Sequence, residues 1–129
     1  KAVEDNAKYL VTYADEVVVP KDVPSIIVGD LNLIETAQEK AYNTLISRRW
    51  EDAYYLAQAA GLLGPSITAC RSSVNNKDEK SLAVWKPDHI LVDGVEVLSY
   101  DVCQKKYPTR DGSLHYPSDH MPVIAEIRF

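Results

Sequence analysis

The stretch that decides the fold is Ser25-Ile26-Ile27-Val28-Gly29-Asp30-Leu31-Asn32. It begins as a short, continuous apolar run, which is typical of a strand covered on both faces, so the sequence predicts a central strand of a sheet. Gly29 lets the backbone turn tightly before Asp30, and the carboxyl ends of strands in open α/β sheets are where functional loops lie. Asp30 and Asn32 are therefore candidate site residues, although the same side chains also suit a simple cap of the following loop.

Helical patterns lie on both sides of this strand. Apolar residues repeat at three- and four-residue spacing over residues 1–15, which predicts an amphipathic helix, and the lack of a capping residue before it indicates that chain has been lost upstream. Thr36 and Glu39 form a capping box before a second helix. The buried face of that helix is predicted to be Ala37, Ala41, Leu45 and Ile46. A third, short helix is predicted to end at Gly61. Its inward positions are Ala53, Leu56, Ala57 and Ala60.

The second half of the chain has strand patterns between polar loops. Residues 61–81 predict an exposed loop. His89–Asp93 and Val95–Val102 predict two strands joined by a tight turn, because apolar β-branched residues flank an Asp-Gly pair. Another polar loop is predicted over residues 104–118, and the alternation of apolar and polar residues over 121–129 predicts a closing strand.

Composition and charge exclude several classes of protein. The chain has 129 residues, of which 46% are hydrophobic and 26% charged, which suits one globular domain and not a disordered or coiled-coil chain. A net charge of −5 offers no basic surface for strong nucleic-acid binding by this chain alone. No apolar run reaches the roughly 18 residues that cross a bilayer, and the compartment stays open, with secretion or the periplasm among the alternatives. Cys70 and Cys103 are predicted to be thiols, with a disulfide as the alternative.

Two further polar motifs are candidates for chemistry. Ser118-Asp119-His120 directly precedes the closing strand, and because neighbours on extended chain point to opposite sides, these three cannot form a serine-hydrolase triad among themselves. Asp88 begins a strand pattern and shares its apolar face with Ile90 and Val92. A carboxylate on such a face is costly without a hydrogen-bond donor, so His120 is predicted to be its partner.

Three ordered motifs resemble one protein family. They are Gly29-Asp30-Leu31-Asn32, Asp88-His89-Ile90 and Ser118-Asp119-His120. In this order they resemble motifs of the endonuclease/exonuclease/phosphatase superfamily, the deoxyribonuclease I-like, metal-dependent phosphoesterases. The resemblance covers residues 1–129 but only the C-terminal half of the family's single domain. His89 stands where Tyr or Trp is usual, and no glutamate matches the family's metal-binding Glu, which belongs to the N-terminal half.

The resemblance implies an α/β fold, a four-layer α/β sandwich in which two mixed sheets lie face to face with helices outside. This chain is expected to supply about half of it, one sheet and its helices. Half a sandwich exposes an apolar inner face, which monomers rarely tolerate, so the predicted partner is the N-terminal half of the same domain, a companion chain or a symmetric copy.

The resemblance also implies roles for the site residues. The implied catalytic residues are His120, Asp30, Asp88 and Asn32. His120 contacts the scissile phosphate, and Asp88 fixes its tautomer through a hydrogen bond. Asp30 positions or deprotonates the attacking water or touches the cation, and Asn32 hydrogen-bonds a phosphate oxygen. Asp119 and Asp30 are the implied metal contacts for Mg²⁺, with Mn²⁺ as the alternative.

These features predict Mg²⁺-dependent hydrolysis of phosphate esters, complete only with an N-terminal half. The acidic balance favours a small phosphodiester, a phosphatase substrate or a lipid headgroup over nucleic acid, which is left as the less favoured substrate. The alternative function is a non-catalytic binding or scaffold protein that retains the fold. Five other residues receive ordinary structural interpretations. They are the exposed-loop His115, the surface cations Arg71 and Lys86, and the core-edge residues Trp50 and Trp85.

Overall fold

The computed structural model describes residues 2–18, 20, 22–33, 39–46, 49–61 and 86–129. The helices in these ranges are α1 (Ala2–Tyr13), which continues as a π-helical segment (Ala14–Val18), α2 (Glu39–Ile46) and α3 (Ala53–Ala59). The strands are β1 (Ser25–Asp30), β2 (Glu51–Asp52), β3 (Asp88–Asp93), β4 (Glu96–Val102), β5 (Tyr107–Pro108), β6 (Leu114–His115) and β7 (Val123–Arg128). None of the described helices has the length and apolar character needed to span a bilayer.

The helix predicted over residues 1–15 is confirmed as α1, which buries Ala7 and Val11 against the core. The second predicted helix is confirmed from Glu39 onward as α2. Thr36, Ala37, the chain from residue 62 to residue 85, and with them Cys70, Arg71 and Trp85, lie outside the described residues. The capping box, most of the loop predicted over residues 61–81 and the pairing of Cys70 with Cys103 therefore stay predictions.

Helix α3 ends before Gly61, as its sequence predicts. The prediction that Ala60 faces inward is wrong, because Ala60 lies beyond the last helical residue and is exposed. The Asp52 side chain accepts a hydrogen bond from the Tyr54 N–H at 2.9 Å, which satisfies one of the free donors of the first turn. Gly61 follows the helix with φ +71°, the left-handed conformation that glycine adopts most easily beyond a helix end. Local sequence alone thus accounts for the two ends of this element.

Strand β1 is an edge of its sheet and not a central strand. The described strands place β3 in the middle of a three-stranded antiparallel sheet with the order β1-β3-β2. Val28 pairs with Ile90, yet it is 66% exposed. The prediction of a central strand is therefore wrong for the described chain. A continuous apolar run indicates that both faces can be covered, but it does not show which segments cover them.

The two strands and the tight turn predicted around the Asp93-Gly94 pair are confirmed. The turn is present, with Gly94 at φ +68°, but β3 and β4 do not pair with each other. Strand β4 instead pairs antiparallel with β7, the predicted closing strand. The turn carries the chain from one sheet to the next, so that Val92 of β3 and Val97 of β4 face the same apolar cluster.

The described strands do not form the single sheet expected for this chain. They form the three-stranded sheet, the β4-β7 pair and a short ribbon in which β5 pairs with β6. The ribbon lies within residues 104–118, where the sequence predicts only a loop. Its two-residue strands are too short to produce a recognisable alternation of apolar and polar side chains.

Two apolar clusters lie on opposite faces of β3. Leu91 packs with α1 and α2, whereas its neighbour Val92 packs with α3, β4 and β7, as expected from the alternation of side chains along a strand. Trp50 belongs to the first cluster and is 1% exposed, so it is a core residue and not a core-edge residue. The chain is thus an α/β structure whose middle strand, β3, connects both parts of the core.

Candidate functional site

The pairing of β1 with β3 brings two of the predicted carboxylates together. Asp30 is the last residue of β1, Asp88 is the first of β3, and the antiparallel register places them directly opposite each other. Residues paired in this way point to the same face of a sheet. Two motifs that are far apart in sequence therefore meet at one end of the sheet.

His120 completes this group from the segment just before β7. Its Nδ1 lies 3.0 Å from Asp88 Oδ2 and 3.1 Å from Asp88 Oδ1, so the predicted contact between the two side chains is present. A carboxylate only accepts, which places a proton on Nδ1. The backbone N–H of His120 also donates to Ser118 Oγ at 3.1 Å, and this contact fixes the local chain direction.

The surrounding charges favour the protonated imidazole. Partial burial lowers the pKa of His120, but the hydrogen bond and the charge of Asp88 outweigh it, and the charges of Asp30 and Asp119 add to the effect. The net result is a pKa raised above the usual value of 6.5. His120 is therefore suited to stabilise negative charge or to donate a proton.

Three of the predicted residues converge on one point. Asp30, Asp88 and His120 each offer a ligand atom, and these atoms lie within 4.8 Å of one another. Asp119 is not among these three, although its charge acts on His120. Asn32 lines a cavity of about 340 Å³ on the α1 side of the loop, and Asp30 also contributes to its lining.

The sequence also allowed Asp30 to act as a simple cap of the loop after β1, and the structure contains this cap. The Asp30 carboxylate accepts a hydrogen bond from the Asn32 backbone N–H at 2.8 Å. Asn32 itself adopts φ +48°, a left-handed conformation that Asn tolerates better than most residues. Asp30 therefore orders its own loop and still presents its carboxylate to Asp88 and His120.

A cavity of about 420 Å³ adjoins the paired carboxylates. Its lining combines Asp30 and Asp88 with apolar side chains from β1, β3 and the chain before β7. Concave sites with a few polar groups among apolar walls are typical of small-ligand sites. The geometry is thus an acidic pair with a hydrogen-bonded imidazole at the edge of a partly apolar cavity.

Solved structures share this architecture. No protein-family model matches the chain, and no curated protein matches it. A mannosyl-6-phosphatase of Bacteroides thetaiotaomicron superposes with a TM-score of 0.76 and 26% identity over 99% of this chain. An endonuclease/exonuclease/phosphatase family protein of the same species superposes with a TM-score of 0.73 and 26% identity over 98% of this chain. The resemblance to the endonuclease/exonuclease/phosphatase family is confirmed.

The chain spans less than half the length of the family structures that it matches. It covers 46% of the mannosyl-6-phosphatase and 43% of the second protein. A further endonuclease/exonuclease/phosphatase protein, from Bacteroides vulgatus, shares the fold with a TM-score of 0.68 at 21% identity and is covered to 44%.

The candidate site of this chain fits one side of a cation site. Mg²⁺ prefers about six oxygen ligands and usually keeps several waters. Asp30 offers an exposed carboxylate, whereas both oxygens of Asp88 lie close to His120 Nδ1. Asp30 is therefore the side chain that best fits a ligand role, and the Asp88–His120 pair fits a charge or proton role beside it.

The structure also contains a buried polar cluster that the sequence interpretation missed. Lys86 Nζ donates to Asp52 Oδ2 at 2.6 Å, and His89 Nδ1 lies 3.0 Å from the same oxygen. The Lys86 side chain is 11% exposed, so the prediction of a surface cation is wrong. His89 is the residue from which the cluster could have been predicted, because a histidine followed by apolar strand residues needs polar partners if it is buried.

Proposed function

We propose that this chain supplies the catalytic Asp–His pair of a metal-dependent phosphoester hydrolase. The observation that carries the proposal is the convergence of Asp30 with the hydrogen-bonded Asp88–His120 pair. Residues 1–129 would form the C-terminal half of a single domain, since the chain covers under half of each matching structure named above. The activity belongs to the complete domain, with the other half in the same gene product or in a companion chain.

In the proposed mechanism, each site residue of this chain has a role that follows from its charge. The protonated His120 contacts the phosphoryl oxygens and stabilises the negative charge that grows on them. Asp88 holds the imidazole in one orientation through Nδ1. The Asp30 carboxylate accepts the proton of the attacking water, because it is the exposed base of the cluster. As the P–O bond to this water forms, the P–O bond to the alcohol breaks, and the departing oxygen takes a proton from solvent. Asn32 would hydrogen-bond a phosphate oxygen once the complete domain surrounds the loop.

A divalent cation is part of the proposal, with Mg²⁺ favoured and Mn²⁺ as the alternative. When bound, such an ion polarises the phosphoryl group and orients water. Asp30 and Asp119 are the residues of this chain that would contribute to its surroundings. The remaining ligands would come from the other half of the domain.

The proposed substrate is a small phosphate ester, with a phosphorylated sugar favoured. The name of one similar protein, a mannosyl-6-phosphatase, supports this substrate class. The net charge of −5 gives little attraction for a polyanion such as DNA. A lipid-headgroup phosphate and a nucleic acid are the other outcomes of the substrate test.

The test measures phosphate release by the intact gene product from mannose 6-phosphate, a phosphoinositide and plasmid DNA, with Mg²⁺ and with EDTA. We expect hydrolysis of the sugar phosphate that EDTA abolishes. His120→Ala should lower turnover by about 10³-fold or more with an unchanged circular dichroism spectrum, since the imidazole acts in the transition state. His115→Ala is the matched control and should retain turnover.

Two results would refute the proposal. One is turnover of His120→Ala equal to that of the wild type. The other is the absence of any divalent-cation-dependent phosphate release from every substrate, which would favour the scaffold alternative. Native mass spectrometry of the same preparation identifies the form in which the chain occurs, as part of a longer polypeptide or with a companion.

A further inference from the structure

A buried polar cluster lies on the face of β3 opposite to Asp88. His89 follows Asp88 directly, and adjacent residues on a strand point to opposite faces, so His89 points away from the candidate site. His89 is only 2% exposed, and the Asp52 and Lys86 side chains beside it are also buried. Buried polar groups at such a position are costly unless every one of them is paired.

Asp52 holds the cluster together. Its Oδ2 accepts from Lys86 Nζ at 2.6 Å and from the Tyr42 hydroxyl at 3.1 Å, and its Oδ1 accepts from the Tyr54 N–H at 2.9 Å. Burial raises the pKa of Asp52, but the hydrogen bond to His89 and the charge of Lys86 outweigh burial and lower it to about 2. The carboxylate therefore stays ionised near neutral pH and keeps its partners in place.

His89 joins this cluster to the loop that carries Asp30. Its Nε2 lies 3.2 Å from the Leu33 carbonyl oxygen, and since a carbonyl only accepts, Nε2 carries the hydrogen and donates it. Its Nδ1 lies 3.0 Å from Asp52 Oδ2 and 3.3 Å from Lys86 Nζ. The imidazole is thus fixed at both nitrogens and bridges the Asp52–Lys86 pair and the loop backbone.

The geometry of the loop decides where the Asp30 carboxylate lies. Asp30 accepts from the Asn32 N–H at 2.8 Å, so the backbone of Asn32 sets the orientation of the carboxylate. Asn32 adopts φ +48°, which a residue other than glycine keeps only where its surroundings hold it. Hydrogen bonds hold the backbone on both sides of Asn32. Before it, the Leu31 N–H donates to the Pro87 carbonyl oxygen at 3.0 Å. After it, His89 Nε2 donates to the Leu33 carbonyl oxygen.

We propose that His89 is a positioning residue that fixes the Asp30 carboxylate through the Leu33 carbonyl, while the Asp52–Lys86 pair holds the imidazole in place. This inference rests on the proposed function, in which Asp30 acts on the attacking water. A misplaced carboxylate would slow the chemical step without a matching loss of substrate binding, because small displacements of a reacting group are costly in rate.

Two substitutions of His89 separate its two contacts. In His89→Gln, the side-chain amide nitrogen reaches about as far as Nε2 of the histidine, so it can still donate to the Leu33 carbonyl oxygen. In His89→Asn, the shorter amide ends near the position of Nδ1. It therefore keeps the contact with Asp52 and loses the one with Leu33. We expect His89→Asn to lower kcat by about 10- to 100-fold with KM changed by less than about threefold. His89→Gln should retain kcat within about threefold of the wild type. His115→Asn, on the ribbon, is the control and should change neither constant.

Backbone hydrogen exchange gives a measurement that does not depend on hydrolysis. We expect the Leu31 and Asn32 amides to exchange at least about tenfold faster in His89→Asn than in the wild type, and at nearly wild-type rates in His89→Gln. If His89→Asn does not fold, Lys86→Met, which removes the anchor of the imidazole, should accelerate exchange of the same two amides.

The outcomes distinguish this inference from the proposed function. Equal losses of kcat in both His89 variants, or unchanged exchange of the Leu31 and Asn32 amides in His89→Asn, would overturn the positioning role. A wild-type protein that hydrolyses no phosphate ester but shows the expected exchange pattern would refute the proposed function and support the placement of the loop by His89.

Discussion

Asp30 and Asp88 face each other across the β1–β3 pairing, and like charges directly opposite on a sheet repel. His120 offsets this repulsion because its Nδ1 lies 3.0 Å from Asp88. The raised pKa of His120 is therefore linked to stability. The protonated imidazole stabilises the folded chain fully below pH 6.5, the ordinary value, and this contribution is lost as pH rises through the folded-state pKa.

Substitution of Asp88 tests this electrostatic account. Asp88→Asn removes the charge and weakens the hydrogen bond that raise the pKa of His120, so the imidazole should lose its proton at a lower pH than in the wild type. The measurement is the NMR titration of the His120 ring in metal-free buffer. Glu126→Gln, a charge change on β7 that is not among the causes of the shift, should leave the midpoint unchanged. A midpoint in Asp88→Asn at or above the wild-type midpoint would contradict the account.

At the scale of elements, Asp52 joins three pieces of secondary structure. It is the last residue of β2, it pairs with Leu91 of β3, and it caps the N-terminus of α3 through the Tyr54 N–H. Its ion pair with Lys86 is buried, and removal of one member leaves the other charge without compensation. The junction of β2, β3 and α3 therefore depends on one carboxylate.

Urea unfolding of Asp52 variants measures this dependence. Asp52→Ala should lower the free energy of unfolding by about 3–5 kcal/mol at pH 7, because it leaves Lys86 buried without its partner and removes the cap. Asp52→Asn retains the cap and should cost roughly 1 kcal/mol less. Asp5→Ala, at an exposed position of α1, is the control and should change stability by less than about 0.5 kcal/mol. An Asp52→Ala variant as stable as the control would show that the pair contributes nothing.

The same carboxylate predicts how the wild type responds to acid. The pKa of Asp52 is lowered from 3.8 to about 2, so its stabilising contribution is present above pH 3.8 and is lost as pH falls toward 2. In Asp52→Asn this part of the acid dependence should be missing. The measurement is the urea unfolding midpoint of the wild type and of Asp52→Asn at pH 4 and at pH 2. The midpoint of Asp52→Asn should fall less between these two pH values than that of the wild type.

At the scale of the whole molecule, the described chain leaves apolar side chains on an open face. Val28 is 66% exposed and Ile26 lies on the same face of β1, while β1 has only β3 as a described neighbour. A cavity of about 420 Å³ begins beside Val28. Together with the half-length coverage of the matching structures, this face fits the contact surface for the other half of the proposed domain.

Val28→Lys tests this contact surface in two contexts. In the 129-residue chain alone, an exposed residue is replaced, and the free energy of unfolding should change by less than about 0.5 kcal/mol. In the chain with its complement, a buried valine would be lost, and the loss should be about 2 kcal/mol or more. Tyr9→Lys, another exposed apolar position, should affect neither form. Equal effects of Val28→Lys in both contexts would show that the face stays exposed.

The sequence by itself determined the local elements and the polar residue types that the motifs bring to the site. Helices α1 and α3 and strands β1, β3 and β7 follow from the spacing of apolar residues, because that spacing depends only on near neighbours. The contact between Asp88 and His120 was also predictable, since a carboxylate on an apolar strand face requires a donor and few candidates exist. The family followed from three motifs in order.

Only the tertiary structure decided how these elements meet. It made β3 and not β1 the middle strand, separated β3 from β4 despite the turn at Gly94, and placed Lys86 inside against Asp52. Each of these outcomes depends on contacts between residues distant in sequence, whose burial and pairing balance one another over the whole core. A local sequence pattern indicates that a strand needs a neighbouring strand or that a buried charge needs a counter-charge. Which residue provides it depends on how the whole core packs.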